Sequence, residues 1–200
     1  MTAGRITIDD MNFLRLSMRE RAKLLSFMPQ FRDTAPGISV KGLVEHGRFP
    51  YMGFSRRMSP EDEEAIEYAL GYTKLNEYRN HMVNELSGGL QQRVYLAMQL
   101  AQNSPYMVMD EPMNYLDFPG QREMYDLIKD LGNKGRTIIL VLHDIGQALQ
   151  ISDHMVIMNH REIVCSGTPM ECLEKGMIQR VFQCEINGID IEGKKRYILL

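Results

Sequence analysis

The sequence predicts an α/β fold, with a mostly parallel sheet and flanking helices. Short apolar strand patterns at residues 24–28, 106–109 and 137–142 are separated by longer helical patterns. This alternation is typical of a parallel sheet that helices bury on both faces. With 200 residues, 44% of them hydrophobic, the chain has enough apolar side chains for one domain core. We therefore expect a single domain over residues 1–200.

The N-terminal part of the chain contains two strand patterns with a helix pattern between them. Polar and β-branched residues alternate from Arg5 to Ile8, which predicts a half-buried strand. The charged stretch from Met18 to Lys23 has a helical pattern and leads into the strand at residues 24–28. Pro29 closes that strand, because proline has no N–H group to donate to a sheet.

Helical patterns dominate the next part of the chain. The pattern from Val40 to His46 predicts one helix, and a second helix should run from Glu61 to Leu70. Ser59 can cap the second helix, and Pro60 fits its first turn. The carboxylate of Asp62 complements the positive end of the same helix.

Strands and helices alternate again in the C-terminal half. A loop and a long helix lead to the strand at residues 106–109, which ends in two acids. A helical pattern from Gln121 to Leu131 leads to the strand at residues 137–142. Two further strands, Met155 to Met158 and Ile163 to Cys165, flank a turn.

Composition limits the classes of partner and compartment. The formal net charge of −3 provides no broad cationic field, so neither nucleic acid nor anionic lipid is a predicted partner. Cys165, Cys172 and Cys184 lack C-x-x-C spacing, which favours reduced thiols over a metal site. The longest apolar segment, Ile138 to Leu142, is too short to span a bilayer, and residues 1–10 lack a basic and apolar leader. These features predict a soluble cytoplasmic protein.

The strongest local motif is Leu86-Ser87-Gly88-Gly89, which precedes a helix-forming run. Two glycines let backbone N–H groups approach a phosphate, the serine hydroxyl adds a donor, and the following helix presents unpaired N–H groups. The alternative is a serine helix cap with a glycine turn. Because short glycine motifs recur by chance, the motif alone does not decide between these interpretations.

A second motif is the buried strand that ends in Asp110-Glu111-Pro112. Open α/β sheets bind ligands at the carboxyl ends of their strands. Asp110 suits Mg²⁺, which takes one or two protein carboxylates and keeps several waters, and Glu111 can then act as a general base. A solvated acid pair that caps the next helix is the alternative interpretation.

Two further polar residues follow apolar strands. His143 could donate to a terminal phosphate and hold an attacking water, although a lone histidine is usually structural. The amide of Gln30 could complete a shell of water and Mg²⁺, although a glutamine in an exposed loop is the ordinary interpretation.

In their order and spacing, these motifs resemble those of the ATP-binding subunits of ABC transporters. The matching residues are Gln30 (Q-loop), Leu86-Ser87-Gly88-Gly89 (signature), Met107 to Glu111 (Walker B), Leu116-Asp117 (D-loop) and His143 (H-loop). The resemblance covers nearly the whole chain. It implies a P-loop NTPase-like fold, with a helical subdomain at about residues 35–100 inserted in a RecA-like core.

The resemblance also implies the partners. In that family, two nucleotide-binding subunits enclose ATP head to tail, so Ser87, Gly88 and Gly89 would contact the nucleotide of a second subunit. The helical subdomain would bind the transmembrane permease subunits. The chain would then lie in the cytoplasm, peripheral to the inner face of the cell membrane.

The catalytic roles likewise follow from the resemblance. Asp110 and Gln30 would hold Mg²⁺ through water, Glu111 would activate the attacking water, and His143 would contact the γ-phosphate. Gln30 would also sense that phosphate, and Asp117 would belong to the D-loop. Catalysis of this kind depends on positioning and electrostatic stabilisation.

The segment Gly47-Arg48-Phe49-Pro50-Tyr51, followed by acids at residues 61–64, resembles the branch of importers for iron-siderophores, haem and cobalamin. We therefore expect an ATP-hydrolysing subunit that powers the import of an iron chelate. The sequence does not identify the cargo, because selectivity lies in the membrane and extracytoplasmic subunits.

Two features depart from the family pattern. The chain contains no G-x-x-x-x-G-K-[ST] loop, and Leu90 stands where the signature usually continues with glutamine. Residues 1–6 resemble the middle of a family member, so we expect a truncated chain that lacks the first strand, the phosphate loop and its helix, and that folds weakly alone. The side chains of Gln91 and Gln92 are expected to point away from the turn. The alternative function is a non-catalytic subunit that donates its signature motif to a complete partner.

Overall fold

The computed structural model describes residues 4–30, 37–53, 57–184, 186–191 and 194–199, the last two ranges by their backbone. The chain divides into two compact units, residues 1–141 and residues 142–200. Within the described ranges, no helix combines the length and the hydropathy that crossing a lipid bilayer requires.

The first unit contains the predicted alternation of strands and helices. Its elements are β1 (Thr7–Ile8), β2 (Met11–Asn12), α1 (Met18–Leu24), β3 (Leu25–Met28), α2 (Val40–Glu45), α3 (Pro60–Tyr72), α4 (Gly88–Gln102), β4 (Tyr106–Asp110), α5 (Phe118–Asn133) and β5 (Thr137–Val141). Strands β3, β4 and β5 form a parallel sheet in that order. The prediction of a parallel sheet is therefore confirmed.

The strand predicted from Arg5 to Ile8 lies outside this sheet. Within this range the strand covers Thr7–Ile8, which pairs with Met11–Asn12 as a separate antiparallel ladder. The alternation of side chains is a local signal, so it predicted an extended segment without identifying the strand's partner.

Helix α4 covers one face of the parallel sheet. Ser26, Met28, Met107 and Met109 are buried on that face, and the side-chain amide of Gln99 on α4 donates to the Ser26 hydroxyl at 3.3 Å. Successive side chains of a strand point to opposite faces, so one covering helix buries every second residue.

The opposite face of the sheet is more open than predicted. Phe27, Ile139 and Val141 are each about half exposed. The expectation that the sheet is buried on both faces is therefore wrong for these residues, because apolar strand composition does not reveal which face a helix covers.

Helices α2, α3 and α4 pack together within the first unit. Helix α3 begins as predicted, with Ser59 and Asp62 forming a reciprocal capping box and Pro60 in the first turn. The turn that follows α2 approaches α4 closely at Gly47, where an added Cβ would lie 2.3 Å from the carbonyl oxygen of Met98. This close contact joins the shorter helices to the long helix α4.

The second unit is a small α/β assembly. Its elements are α6 (Ile145–Ile151), β6 (Met155–Asn159), β7 (Glu162–Gly167), α7 (Pro169–Glu174), α8 (Met177–Phe182), β8 (Ile186–Ile191) and β9 (Lys194–Leu199). Strands β6 and β7 are the two strands predicted around a turn, and they pair antiparallel, with an irregularity between Ile157 and Met158. Strands β8 and β9 form an antiparallel pair that the sequence patterns did not predict. Leu149, Ile157, Cys172 and Ile178 belong to the unit's apolar core.

Candidate functional site

The candidate site lies at the carboxyl ends of β3 and β4. These parallel strands pair Met28 with Met109, so the residues that follow each strand emerge at one edge of the sheet. There the side-chain amide of Gln30 donates a hydrogen bond to Oε2 of Glu111. Two residues predicted from separate motifs, 81 positions apart in the chain, are thus in direct contact.

The backbone of Glu111 has an unusual conformation. Its φ angle is 49°, in the left-handed region that side chains other than glycine rarely adopt. The residue is only 6% exposed, and its N–H group donates to the carbonyl oxygen of Val141 at 3.0 Å. Such a conformation costs on the order of 1–3 kcal/mol and persists where the surroundings fix it.

Asn114 is a second donor to the Glu111 carboxylate. Its side-chain amide donates to Oε2, and its backbone N–H donates to the Glu111 carbonyl oxygen at 3.2 Å. Sequence reasoning missed Asn114. An asparagine three residues after the acid, at the end of a tight turn, is the signal that could have identified it.

Gln92 contacts the same loop from the other side. Its side chain is buried on α4, and its amide donates to the carbonyl oxygens of Pro112 at 2.8 Å and of Glu111 at 3.5 Å. Sequence reasoning considered Gln92 only in relation to Leu90. The helix α4 that begins at the glycine-rich turn is therefore hydrogen-bonded to the loop that carries the acid.

Asp110 is the last residue of β4 and is half-buried. Its carboxylate and the amide oxygen of Gln30 belong to the hard oxygen ligands that Mg²⁺ prefers. In the part of the chain that the structure describes, no group of three histidine, cysteine or acidic side chains could hold a metal ion. A magnesium ion that keeps most of its water and binds phosphate needs only one or two protein carboxylates, so the donor set fits that ion.

The glycine-rich turn forms the start of α4. Ser87 is the N-cap, and its hydroxyl accepts a hydrogen bond from the N–H group of Leu90 at 3.4 Å. Ser87 and Gly88 are exposed, so the first turn of a 15-residue helix faces solvent there. The serine cap that the sequence left as an alternative is present, and an exposed helix N-terminus with glycine is also suited to an anion.

The same turn packs against the segment that precedes α5. An added Cβ on Gly89 would lie 3.1 Å from the Leu116 side chain, and one on Gly88 would lie 3.5 Å from the Tyr115 side chain. Asp117 follows as the exposed N-cap of α5, and its carboxylate accepts from the N–H group of Gly120 at 2.9 Å. The predicted signature and D-loop residues are therefore neighbours within the first unit.

His143 lies in the second unit, in the bend between β5 and α6, and it is exposed. The next residue, Asp144, caps α6 by accepting from the N–H group of Gln147 at 3.0 Å. The role predicted for His143 stays a prediction.

Comparisons with known proteins identify the family of this chain. The family model described as ABC transporter matches residues 1–114. The petrobactin import ATP-binding protein FpuC of Bacillus anthracis is 37% identical over 185 residues, which cover 92% of this chain and 68% of FpuC. The achromobactin transport ATP-binding protein CbrD of Dickeya dadantii (strain 3937) is 37% identical over 183 residues, covering 91% of this chain and 68% of CbrD.

Solved structures agree on the fold. A putative metal-chelate type ABC transporter in an inward-facing conformation matches with a TM-score of 0.80 at 21% identity, covering 88% of this chain and 72% of that chain. The dimeric ATP-binding cassette MJ0796, in a post-hydrolysis state with ADP and Pi, matches with a TM-score of 0.72 at 28% identity. That match covers 84% of this chain and 74% of MJ0796. The predicted P-loop NTPase-like fold class is confirmed.

Proposed function

The chain belongs to the ABC transporter family, and from this membership we propose that it is the ATP-binding subunit of an importer that carries an iron chelate such as a siderophore. The relatives FpuC and CbrD, which are named for petrobactin and achromobactin transport, support this assignment. The observation that carries the ATP-binding part is the hydrogen bond between Gln30 and Glu111 beside Asp110, at the carboxyl ends of parallel strands, where α/β sheets bind ligands.

Glu111 is the general base in this proposal. Its carboxylate is held by the amides of Gln30 and Asn114, so it is oriented before a water molecule binds. Asp110 and Gln30 would hold Mg²⁺ through water, and the ion would neutralise charge on the phosphate groups. Because phosphoryl transfer demands little covalent chemistry from the protein, such positioning accounts for much of the catalysis.

Ser87, Gly88 and Gly89 bind the ATP of a second subunit in the proposed assembly. The exposed start of α4 supports this role, because unpaired N–H groups at a helix N-terminus favour phosphate. Asp117 follows Leu116, whose side chain lies against this turn, and would face the same partner. His143 would contact the γ-phosphate.

We propose further that residues of about 35–100 form a helical subdomain that binds the permease subunits. Helices α2, α3 and α4 pack together over most of this range, and Phe49 is exposed beside them. The protein would then work at the inner face of the cell membrane, in contact with the transmembrane permease subunits.

A second candidate function is donation of the signature motif without hydrolysis by this chain. It is favoured by the exposed start of α4 at Ser87 and Gly88, which suits an anion whether or not Glu111 acts as a base. In this case Ser87 would serve the nucleotide of a partner subunit, and Glu111 would take no part in hydrolysis.

An ATPase assay distinguishes the two functions. The rate of ATP hydrolysis is measured for the purified chain alone and for its mixture with a family member that carries its own phosphate loop. The variants are Glu111→Gln and Ser87→Arg. Asp126→Asn, on the exposed side of α5, is the control. A loss of about 100-fold or more with Glu111→Gln supports catalysis by this chain. Turnover that survives Glu111→Gln but not Ser87→Arg supports donation. Turnover that neither variant changes contradicts both functions.

A further inference from the structure

We propose that Gln92 is a positioning residue that couples the glycine-rich turn of α4 to the carboxylate of Glu111. The consequence for hydrolysis rests on the function proposed above. The coupling itself is a property of the first unit, and it assigns a role to a residue that the sequence motifs left unused.

The contact geometry supports this role. Gln92 is 7% exposed, and its amide reaches two successive carbonyl oxygens, those of Pro112 and Glu111. It is the fifth residue of α4, one helical turn beyond Gly88. A short stretch of rigid helix therefore separates the exposed turn from the Gln92 amide, which holds residues 111–116, the acid loop.

The strained backbone of Glu111 gives the contact a function. A residue with a φ angle of 49° returns to an ordinary conformation unless its neighbours prevent it. Val141 accepts from the Glu111 N–H group, and Gln30 and Asn114 hold the carboxylate. From α4, Gln92 donates to the Pro112 carbonyl oxygen at 2.8 Å and, beside the Asn114 N–H group, to the Glu111 carbonyl oxygen at 3.5 Å. Gln92 therefore restrains the two peptides that follow the Glu111 side chain.

The two ends of this link serve different nucleotides in a head-to-tail dimer. The turn at Ser87 would bind the triphosphate of the second subunit, whereas Glu111 would act beside this chain's own nucleotide. A displacement of α4 on binding at the turn would move the Gln92 amide with it. Occupancy of one site would thereby adjust the orientation of the base in the other.

Two other glutamines on α4 provide matched controls. The Gln91 amide donates to the Leu86 carbonyl oxygen at 2.9 Å, so the expectation that this side chain points away from the turn is wrong. The Gln99 amide is buried and donates to Val108 in the middle of the sheet at 3.1 Å. Methionine is similar to glutamine in size, so replacing either residue by methionine removes an amide donor and leaves the acid loop unchanged.

The first test measures amide hydrogen exchange in the purified 200-residue chain. We expect Gln92→Met to exchange about tenfold faster at Glu111 and Asn114, the factor that corresponds to the loss of one buried hydrogen bond. Gln91→Met and Gln99→Met should leave both amides unchanged. Unchanged exchange in Gln92→Met overturns the proposal, and so does an equal acceleration over the whole of α4, which indicates general loosening.

The variant Gln92→Glu tests whether exchange depends on a hydrogen-bond donor at position 92 rather than on the packing of the side chain. A protonated carboxyl group at this position can donate to the Pro112 carbonyl, whereas an ionised one repels it. We expect exchange at Glu111, corrected for intrinsic rates, to approach the unsubstituted value at low pH and to accelerate as the new carboxyl group ionises. Acceleration that is independent of pH overturns the positioning role, and this variant also decides the matter if Gln92→Met fails to fold.

The second test adds Mg²⁺, ATP and a complete family member whose own general base is replaced, so that the nucleotide persists. In the unsubstituted chain we expect slower exchange at residues 87–90 and, through Gln92, at residues 111–116. Gln92→Met should keep the first response and lose the second, and retention of both overturns the coupling. If residues 87–90 of the unsubstituted chain do not respond, the proposed function fails, and the measurements on the chain alone then decide the role of Gln92.

Discussion

Arg48 and Asp62 form an ion pair inside the group of helices that precedes the sheet strand β4. Nε of Arg48 donates to Oδ1 of Asp62 at 2.8 Å, and the two side chains are 8% and 6% exposed. Nη1 of Arg48 also donates to the carbonyl oxygen of Ala101 at 2.6 Å, and the guanidinium lies 3.8 Å from the centroid of the Tyr51 ring. One side chain therefore joins α3, α4 and the segment that follows α2.

Replacement of Arg48 should be strongly destabilising. Arg48→Met leaves the Asp62 carboxylate buried without its cation, and we expect the free energy of unfolding to fall by about 3–5 kcal/mol. Arg48→Lys should recover only part of this loss, because an ammonium group cannot match the planar fork that reaches both Asp62 and Ala101. Urea unfolding measures both variants. Arg79→Met is the control, since the ion pair of Arg79 with Glu67 is more exposed and is worth about 1 kcal/mol or less.

The same pair predicts sensitivity to acid. Burial acts to raise the pKa of the Asp62 carboxyl, but hydrogen bonds from Ser59 and Arg48 outweigh it and hold the pKa below its usual range. A lowered pKa in the folded chain stabilises the fold above the unfolded pKa of about 3.9. This contribution is lost as the pH falls through the lower, folded value.

We therefore expect the free energy of unfolding to decrease below about pH 4, and to do so less steeply in Asp62→Asn. The measurement is urea unfolding between pH 3 and pH 6, with Asp126→Asn as the exposed control. Equal slopes in Asp62→Asn and the unsubstituted chain would contradict the assignment.

Gly47 is required for packing rather than for its backbone angle. An added Cβ would lie 2.3 Å from the carbonyl oxygen of Met98 and 2.9 Å from the backbone nitrogen of Gln102, neither of which can move without shifting α4. We expect Gly47→Ala to lower the free energy of unfolding by about 1–3 kcal/mol or more. Gly53→Ala is the control, because an added Cβ there meets nothing within 4 Å. Thermal unfolding in which the two variants behave alike would argue against the close contact.

The elements that sequence patterns predicted well are those with strong local signals. The cap and first turn of α3, formed by Ser59, Pro60 and Asp62, are present as predicted. The apolar strands at β3, β4 and β5 also appear in the parallel sheet. A helix cap and an apolar strand each depend on neighbouring residues, so one sequence is sufficient to find them.

The support around Glu111 could not be predicted in the same way. Gln92 and Asn114 contact Glu111 because α4 and the acid loop meet in three dimensions. A glutamine in a helix has no local feature that indicates a buried partner. The residue type of Glu111 likewise does not predict its positive φ angle. The motif residues were found because several of them recur in a known order, whereas the residues that position them carry no such signal.

Tyr72 connects α3 to α5 and should make the fold sensitive to alkali. Its hydroxyl donates to Oδ2 of Asp130 at 2.6 Å and approaches the Leu127 carbonyl oxygen at 3.2 Å. Burial, followed by the Asp130 carboxylate, raises the pKa of Tyr72 well above its usual range. Above about pH 10 the unfolded chain therefore loses a proton that the folded chain retains.

The stability contributed by Tyr72 is thus complete below about pH 10 and declines as the pH rises beyond it. We expect Tyr72→Phe to be less stable at neutral pH and to lose stability less steeply between pH 9 and pH 11. Urea unfolding across that range is the measurement, with Tyr115→Phe as the control because that side chain is 75% exposed. A decline in Tyr72→Phe as steep as in the unsubstituted chain would exclude Tyr72 as the cause.

The three cysteines should differ in reactivity although all are free thiols. Cys165 and Cys172 are buried in the second unit with their Sγ atoms 3.3 Å apart, whereas Cys184 is only partly buried. Burial, followed by the neighbouring Cys165 thiol, raises the pKa of Cys172 to about 11, so at pH 8 about one molecule in a thousand carries the reactive thiolate at that position. We expect one fast-reacting thiol with a chromogenic disulfide reagent in the native chain, its loss in Cys184→Ser, and equal reaction of all the thiols in denaturant. A fast phase that persists in Cys184→Ser would mean that the thiols of the β7 and α7 pair are open to solvent, because only an accessible thiolate can attack the reagent.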